Sequence, residues 1–312
     1  MTTPWRRRIL AAVMGREYAF VQVDVFTDRV FGGNPLAVFL DGHGLTDGEM
    51  QAIAREMNLS ETTFVLPATR PDCAARVRIF TPAREIPFAG HPTIGTTWVL
   101  ATEGRLGGGI EAALEEGIGP VAVALEGDPR RPSFVWMRHR DATFGPAVRD
   151  RAGVAAALGL DADQLHPHAP VCTGTTGSVF LYVPLRDRTA VDRAVLDVAA
   201  MRRAVGEMPL PGVFVFAAEP PARAYSRMFA PHTSGVPEDP ATGSASGPLG
   251  AYLMLHGLVA VGDPVELVSE QGVKMGRPSL VHIRLRARDG GVSDIRVGGS
   301  VVPVLDGRLR VP

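Results

Sequence analysis

Arg78-Ile79-Phe80-Thr81-Pro82 and Arg227-Met228-Phe229-Ala230-Pro231 share three of five positions at a spacing of 149 residues, and this repeat decides how the rest of the chain is read. A few residues on, with one residue of slip, His91-Pro92-Thr93-Ile94-Gly95 stands over Asp239-Pro240-Ala241-Thr242-Gly243 at a spacing of 148. In each half the order is strand, proline-containing loop, polar residue, proline, small residues, then an apolar helix. Self-similarity at long period marks a duplicated architecture, so the chain reads as two copies of one supersecondary unit. Its 312 residues leave room for both, at ~100–200 residues per domain. The expected division is an N-terminal extension over 1–16, a first domain over 17–142 that a C-terminal strand could complete, and a second domain over 143–312.

Working outward from the repeat, residues 18–26 alternate and are rich in Val and Phe, and Gly32-Gly33-Asn34-Pro35 turns them into 36–40, which predicts a β-hairpin. Thr46-Asp47-Gly48-Glu49 has capping-box spacing, and Met50, Ile53, Ala54 and Met57 follow at helical period, predicting a helix over 47–58. A β-branched and aromatic run over 59–66 predicts a strand with Glu61 at its mouth. Further strands are expected at 75–80, 179–183, 213–216, 224–229, 265–268, 280–285 and 292–297, and helices at 90–100, 190–205 and 243–256. Strands dominate with helices interleaved, so the class is α+β.

The two helices that close the repeat units carry no charged face, which predicts burial rather than amphipathic packing. A buried helix start leaves its first N–H groups without partners at the positive end of the macrodipole. A substrate carboxylate is a natural occupant of such a place, and small residues such as Gly243 and Ser244 let a ligand approach the backbone. If the halves pack face to face, both helix ends point into one cleft, a common location for small-molecule sites.

The titratable groups at those ends are His91 and Asp239, with Glu61 joining them from a strand end. Singly, each has an ordinary structural explanation: Asp239 before Pro240 as an N-cap, His91 as a turn or cap residue, Glu61 as a solvated turn residue. Jointly they are the parts for proton transfer at carbon, where a carboxylate takes a C–H proton and nearby donors stabilise the enolate.

Composition excludes several other classes. The formal net charge of −1 offers no footprint for a nucleic-acid backbone. Lys274 is the single lysine, which leaves one candidate for a Schiff base and disfavours pyridoxal phosphate chemistry. Cys73 and Cys172 lie 99 residues apart in no metal or CxxC spacing, pointing to a reducing, cytoplasmic setting. His166-Pro167-His168 has no third ligand, so no metal is expected. Gly107-Gly108-Gly109 sits in a polar loop, and Thr173-Gly174-Thr175-Thr176-Gly177-Ser178 precedes a strand rather than a helix; both read as turns rather than phosphate loops. Arg6-Arg7-Arg8 before 9–14 resembles a signal peptide only faintly, the apolar run being too short. No apolar stretch of ~18 residues predicts a transmembrane helix.

Four motifs, in order, carry a resemblance: Asn58-Leu59-Ser60-Glu61-Thr62, Pro87-Phe88-Ala89-Gly90-His91-Pro92-Thr93-Ile94-Gly95, Pro237-Glu238-Asp239-Pro240-Ala241-Thr242-Gly243-Ser244-Ala245 and Glu270-Gln271-Gly272-Val273-Lys274-Met275-Gly276-Arg277-Pro278-Ser279. From about Tyr18 to near the C-terminus the chain resembles the PhzF-like isomerases of phenazine biosynthesis. The resemblance implies the diaminopimelate-epimerase-like fold, two pseudo-symmetric domains each with a curled, mostly antiparallel sheet around a central helix. It also implies a homodimer and no cofactor. Carried over position by position, it makes Glu61 the catalytic acid/base with His91 and Asp239 beside it, and it gives Gly95, Gly243 and Ser244 to the substrate carboxylate. Racemases of the wider superfamily use paired cysteines, and Cys73 and Cys172 fall outside the motif positions. Arg84 stands where the family more often has Asn, and His232-Thr233-Ser234 precede Asp239; both places could touch substrate.

The function expected is a cofactor-independent isomerase that moves a proton between carbons of a small unsaturated or cyclic carboxylic acid, in secondary metabolism. An epimerase or lyase on the same site, and a non-catalytic binding protein that keeps the fold, are the alternatives.

Overall fold

A computed structural model describes residues 15–208, 210, 212–230, 237–260, 262–288 and 291–312. The expected extension therefore lies outside the described residues except for Gly15 and Arg16, and so does the 232–234 loop. The first half runs β1 (Arg16–Val25), β2 (Asn34–Phe39), α1 (Asp47–Met57), β3 (Glu61–Leu66), β4 (Ala75–Phe80), the two-residue β5 (Glu85–Ile86), α2 (Gly90–Thr102), β6 (Glu111–Glu116), β7 (Gly119–Asp128) and β8 (Arg131–Arg138). The second runs β9 (Thr143–Ala147), α3 (Arg151–Ala157), β10 (Cys172–Thr175), β11 (Val179–Pro184), α4 (Arg188–Arg193), α5 (Val198–Val205), β12 (Val213–Glu219), β13 (Arg223–Phe229), β14 (Glu238–Asp239), α6 (Gly243–Leu255), β15 (Val265–Gln271), β16 (Ser279–Arg288) and β17 (Gly291–Gly299). The last strand, β18 (Val301–Val311), returns to the first half and pairs antiparallel with β1.

The two halves share one wiring. In the first, the strand order is β18-β1-β2-β3-β4-β6-β7-β8; in the second it is β9-β10-β11-β12-β13-β15-β16-β17. Parallel and antiparallel pairings fall at the same places, with β2–β3 and β4–β6 parallel in one half and β11–β12 and β13–β15 parallel in the other. β8 and β17 pair antiparallel and join the halves. The central helices α2 and α6 bury nearly every side chain, as their lack of a polar face requires. Both belong to one apolar core. Outer helices cover the other faces of the sheets: α1 on the first half, α3 to α5 on the second.

The strand-end repeat persists in three dimensions. Phe80 pairs with Glu85, and Phe229 pairs with Glu238. Arg78 binds Glu85 through Nε and Nη2, at 2.7 and 2.6 Å, and Arg227 binds Glu238 through the same two nitrogens, at 2.8 and 2.9 Å. The second alignment is corrected. The interval between β13 and β14 is longer than the Thr81–Arg84 turn after β4, so Gly243 corresponds to Gly90 rather than to Gly95. The counterpart of His91 is Ser244, and the counterpart of Asp239 is Ile86.

Other local expectations need revision. Residues 190–205 form two short helices, not one, because Asp187 and Asp197 each cap a separate start. Thr173 to Thr175 belong to β10 rather than to a turn, paired on both sides by β9 and β11. β6, with the helix-like sequence Glu111-Ala112-Ala113-Leu114-Glu115-Glu116, is a strand because pairing with β4 and β7 overrides local propensity. No helix among the described residues is long and apolar enough to cross a membrane.

Candidate active site

Each half brings its chemistry to the N-terminal end of its central helix. The capping box at Thr46 starts α1, and Asn58 ends it in the left-handed conformation, φ 51°. The chain then enters the sheet at Glu61, opposite Leu36 of β2. In the second half, Asp239 comes from the two-residue strand β14, four residues before α6.

The two helix starts abut. A Cβ on Gly90 would lie 2.6 Å from the Ser244 amide nitrogen, and one on Gly243 would lie 2.9 Å from the Phe26 ring and 3.1 Å from the Gly90 Cα. Glycine is required at both places by this approach of backbone to backbone. Neither N-cap residue, Ala89 or Thr242, caps its helix with a side chain. Two positive helix ends therefore converge with first-turn N–H groups that have no intrahelical acceptor, which is an anion-binding arrangement.

They open into a cleft of about 570 Å³, lined by Ser60, Glu61, His91, Asp239, Gly243 and Ser244 on its polar side. Ile86, Phe88, Val179, Phe180, Leu210 and Met228 supply apolar wall. Five of the six site residues expected from sequence meet here. Gly95 does not: a Cβ there would press on Leu36, Val25 and Val23, so this glycine seats α2 on the sheet instead of facing substrate.

Asn34 organises the cluster. Its Nδ2 stands 3.0 Å from His91 Nδ1, 2.7 Å from Asp239 Oδ1 and 2.9 Å from the Ala241 carbonyl oxygen. An amide N–H directed at Nδ1 leaves the imidazole proton on Nε2. Nε2 is 3.4 Å from Glu61 Oε2, and both atoms are buried without a hydrogen-bond partner among the described residues. Asp239 also accepts from Thr242 Oγ1 at 2.6 Å and from the Ser60 hydroxyl. Gln271 Nε2 donates to the Asp239 carbonyl at 2.8 Å, and Arg277 reaches from the second half to the Gly32 and Gly33 carbonyls and Asp24, pinning the turn that presents Asn34.

Burial sets the proton inventory. It lifts the Glu61 carboxyl well above the ordinary carboxylate range, and the Asp239 charge adds to the lift. Asp239 rises to about 6, burial outweighing the hydrogen bonds from Thr242, Asn34 and Ser60. His91, pushed down to about 3 by burial, is neutral. Ionised Asp239 disfavours ionisation of Glu61, so the protons of these two carboxyls belong to the pair rather than to either residue. A carboxyl with a raised pKa is a strong base once ionised and a reachable acid when protonated, which suits a group that takes a proton from carbon and gives it back.

Sequence reasoning placed Asn34 in a turn and gave Ser60, Thr242 and Gln271 no role of their own. Asn34 beside Gly32-Gly33 and before Pro35 was the available signal, and nothing local links it to a residue 205 positions away.

Comparison with known proteins places this geometry. The model of the phenazine biosynthesis-like protein family, PhzC-PhzF, matches residues 23–307. The trans-2,3-dihydro-3-hydroxyanthranilate isomerase of Pseudomonas aeruginosa is 37% identical over 295 residues, taking in 93% of this chain and 99% of that one. The crystal structure of a Bacillus anthracis phenazine biosynthesis protein of the PhzF family superposes with a TM-score of 0.85 at 26% identity, over 95% of this chain and 100% of that one. A probable proline racemase from Agrobacterium radiobacter, at 16% identity and TM-score 0.65 over 95% of this chain and 93% of that one, shares the fold.

Proposed function

The chain belongs to the phenazine biosynthesis-like (PhzC-PhzF) family and is an isomerase, and from that premise we propose that it moves a proton between two carbons of a small unsaturated or cyclic carboxylic acid. The observation that carries the reading is the pair of buried atoms Glu61 Oε2 and His91 Nε2, without a hydrogen-bond partner among the described residues and 3.4 Å apart in the cleft where two helix starts meet. In this reading the substrate carboxylate lies at the first-turn N–H groups around Gly90, Gly243 and Ser244. Ionised Glu61 removes a proton from one carbon, the His91 Nε2–H donates to the charge that develops on the substrate, and Glu61–H returns the proton to another carbon. Asp239 stays ionised and holds Asn34 and Thr242, so the imidazole keeps its tautomer. The product forms without net gain or loss of atoms, and the P. aeruginosa relative's substrate, trans-2,3-dihydro-3-hydroxyanthranilate, is the first compound to try.

The test is turnover of that acid in deuterated water, with the label located by NMR. Deuterium is expected at the carbon that receives the proton, and Glu61→Gln is expected to lower the rate by about 10²- to 10⁴-fold, the usual worth of a positioned acid/base. A Gln variant as fast as wild type would remove Glu61 from the chemistry. Label confined to the α-carbon with inverted configuration would make the enzyme an epimerase.

A further inference from the structure

The cleft contains one charged group that the proton transfer does not use. Among the described lining residues, Arg84 is the single arginine or lysine. Its backbone is held firmly: the Thr81 N–H donates to the Arg84 carbonyl at 2.9 Å, and the Thr81 hydroxyl accepts from the Ala83 and Arg84 N–H groups at 3.2 and 3.0 Å. Gln51 Nε2 ties the same turn to α1 through the Thr81 and Pro82 carbonyls, at 2.9 and 3.1 Å. The guanidinium, by contrast, has no hydrogen bond or ion pair with any described residue.

The obvious partner is taken. Glu85 follows Arg84 directly, but its two carboxylate oxygens are engaged by Nε and Nη2 of Arg78, which also binds Asp47. Arg78 is the member of the strand-end repeat, matched by Arg227 on Glu238, so this pair belongs to the scaffold. A rigid turn thus places the exposed Arg84, unpaired among the described residues, in the lining of a cleft whose other anion-binding pole, the abutting starts of α2 and α6, suits one carboxylate. Guanidinium is built for planar, two-point recognition of a carboxylate.

We propose that Arg84 is a specificity-determining residue that binds a second carboxylate on the substrate, so that this isomerase favours dicarboxylic over monocarboxylic ring acids. The inference rests on the proposed function, since it needs the first carboxylate at the helix starts.

Calorimetry at pH 7 with benzoate, phthalate, isophthalate and terephthalate as probes separates the two. In the wild-type protein at least one diacid is expected to bind about tenfold or more tightly than benzoate, equivalent to about 1.4 kcal/mol. Arg84→Met is expected to bring the diacid-to-monoacid ratio within about twofold, and Arg84→Lys to keep part of it. Thermal melting checks that both variants are folded. Equal affinities for diacids and benzoate in the wild type, or an unchanged ratio in Arg84→Met, overturn the role of Arg84 while leaving an acid-binding cleft. Failure of every acid, benzoate included, to bind the wild-type protein overturns this inference and the proposed function together.

Discussion

The start of α2 and the start of α6 are the same construction used for different chemistry. Both follow a two-residue strand by the same interval, both begin with a glycine against the other's backbone, and both sit beside an arginine–glutamate pair on equivalent strands. At the second helical position one carries His91 and the other Ser244. Asp239 stands where the first half has Ile86, and Glu61, one residue before β3 pairs with β4, stands where the second half has Gly212. Duplication supplied the two helix ends that an anion needs, whereas each proton-handling side chain comes from one half alone. The scaffold is therefore symmetric and the chemistry is not, which fits one carboxyl group that both takes and returns a proton.

The arginine pairs test that comparison most severely. Arg227 is nearly buried, and its Nη1 also donates to the Val191, Asp192 and Ala194 carbonyls at 3.1, 3.2 and 2.8 Å. Arg78 binds partners that face solvent. In thermal or urea unfolding, Arg227→Met is expected to cost about 3–5 kcal/mol, as for breaking a buried pair, and Arg78→Met about 1 kcal/mol or less. Equal losses would mean the two pairs are equivalent in energy as well as in place.

The glycine contact comes next. Gly90→Ala puts a methyl on backbone atoms that cannot yield, whereas the Gly243→Ala methyl meets the Phe26 ring first. Overpacking of this kind costs about 1–3 kcal/mol, and Gly90→Ala is expected to lose more than Gly243→Ala in the same unfolding assay. The reverse order would place the tighter constraint on the second helix.

The last effect concerns a carboxyl with no counterpart in the chemistry. Glu116 at the end of β6 is buried, accepts from Thr93 Oγ1 of α2 at 2.6 Å, and is raised to about 8 by burial. Its folded pKa lies above the unfolded value of 4.5, so its contribution to stability is whole below about pH 4.5 and is lost as pH rises through about 8. Glu116→Gln removes that dependence. The variant should gain about 2–3 kcal/mol on wild type between pH 5 and pH 7, on the order of the linkage for one proton over that interval. A constant difference across that range would show Glu116 ionised in the fold and would leave the two helix starts without this distinction.

The legible parts of the molecule were those written in local pattern. The hairpin at Gly32-Gly33, the capping box at Thr46 and the uncharged faces of α2 and α6 appear where alternation, spacing and composition put them. Strands β6 to β9 were not anticipated. β6 has a helix-like composition, and β18, the C-terminal strand that could complete the first domain, carries Pro303 and Gly307, tolerable because among the described residues it pairs with β1 alone. The repeat aligned well at Arg78 and Arg227, and it failed at the helix starts because the intervening loops differ in length. Gly95 and Gly243 look alike in sequence, yet one faces the sheet and the other the cleft, a difference of helix rotation and neighbours that composition does not encode.

The sequence by itself determined the family, the α+β duplication and the identity of Glu61, His91 and Asp239 as candidates, because motif order and apolar periodicity are properties of short segments. Only the tertiary structure decided that Ser244 is the positional counterpart of His91, that Asn34 meets the imidazole Nδ1, and that Arg84 is left unpaired among the described residues at the cleft. Those outcomes depend on which groups burial strips of water and which backbones touch, and both are set by contacts between residues far apart in the chain.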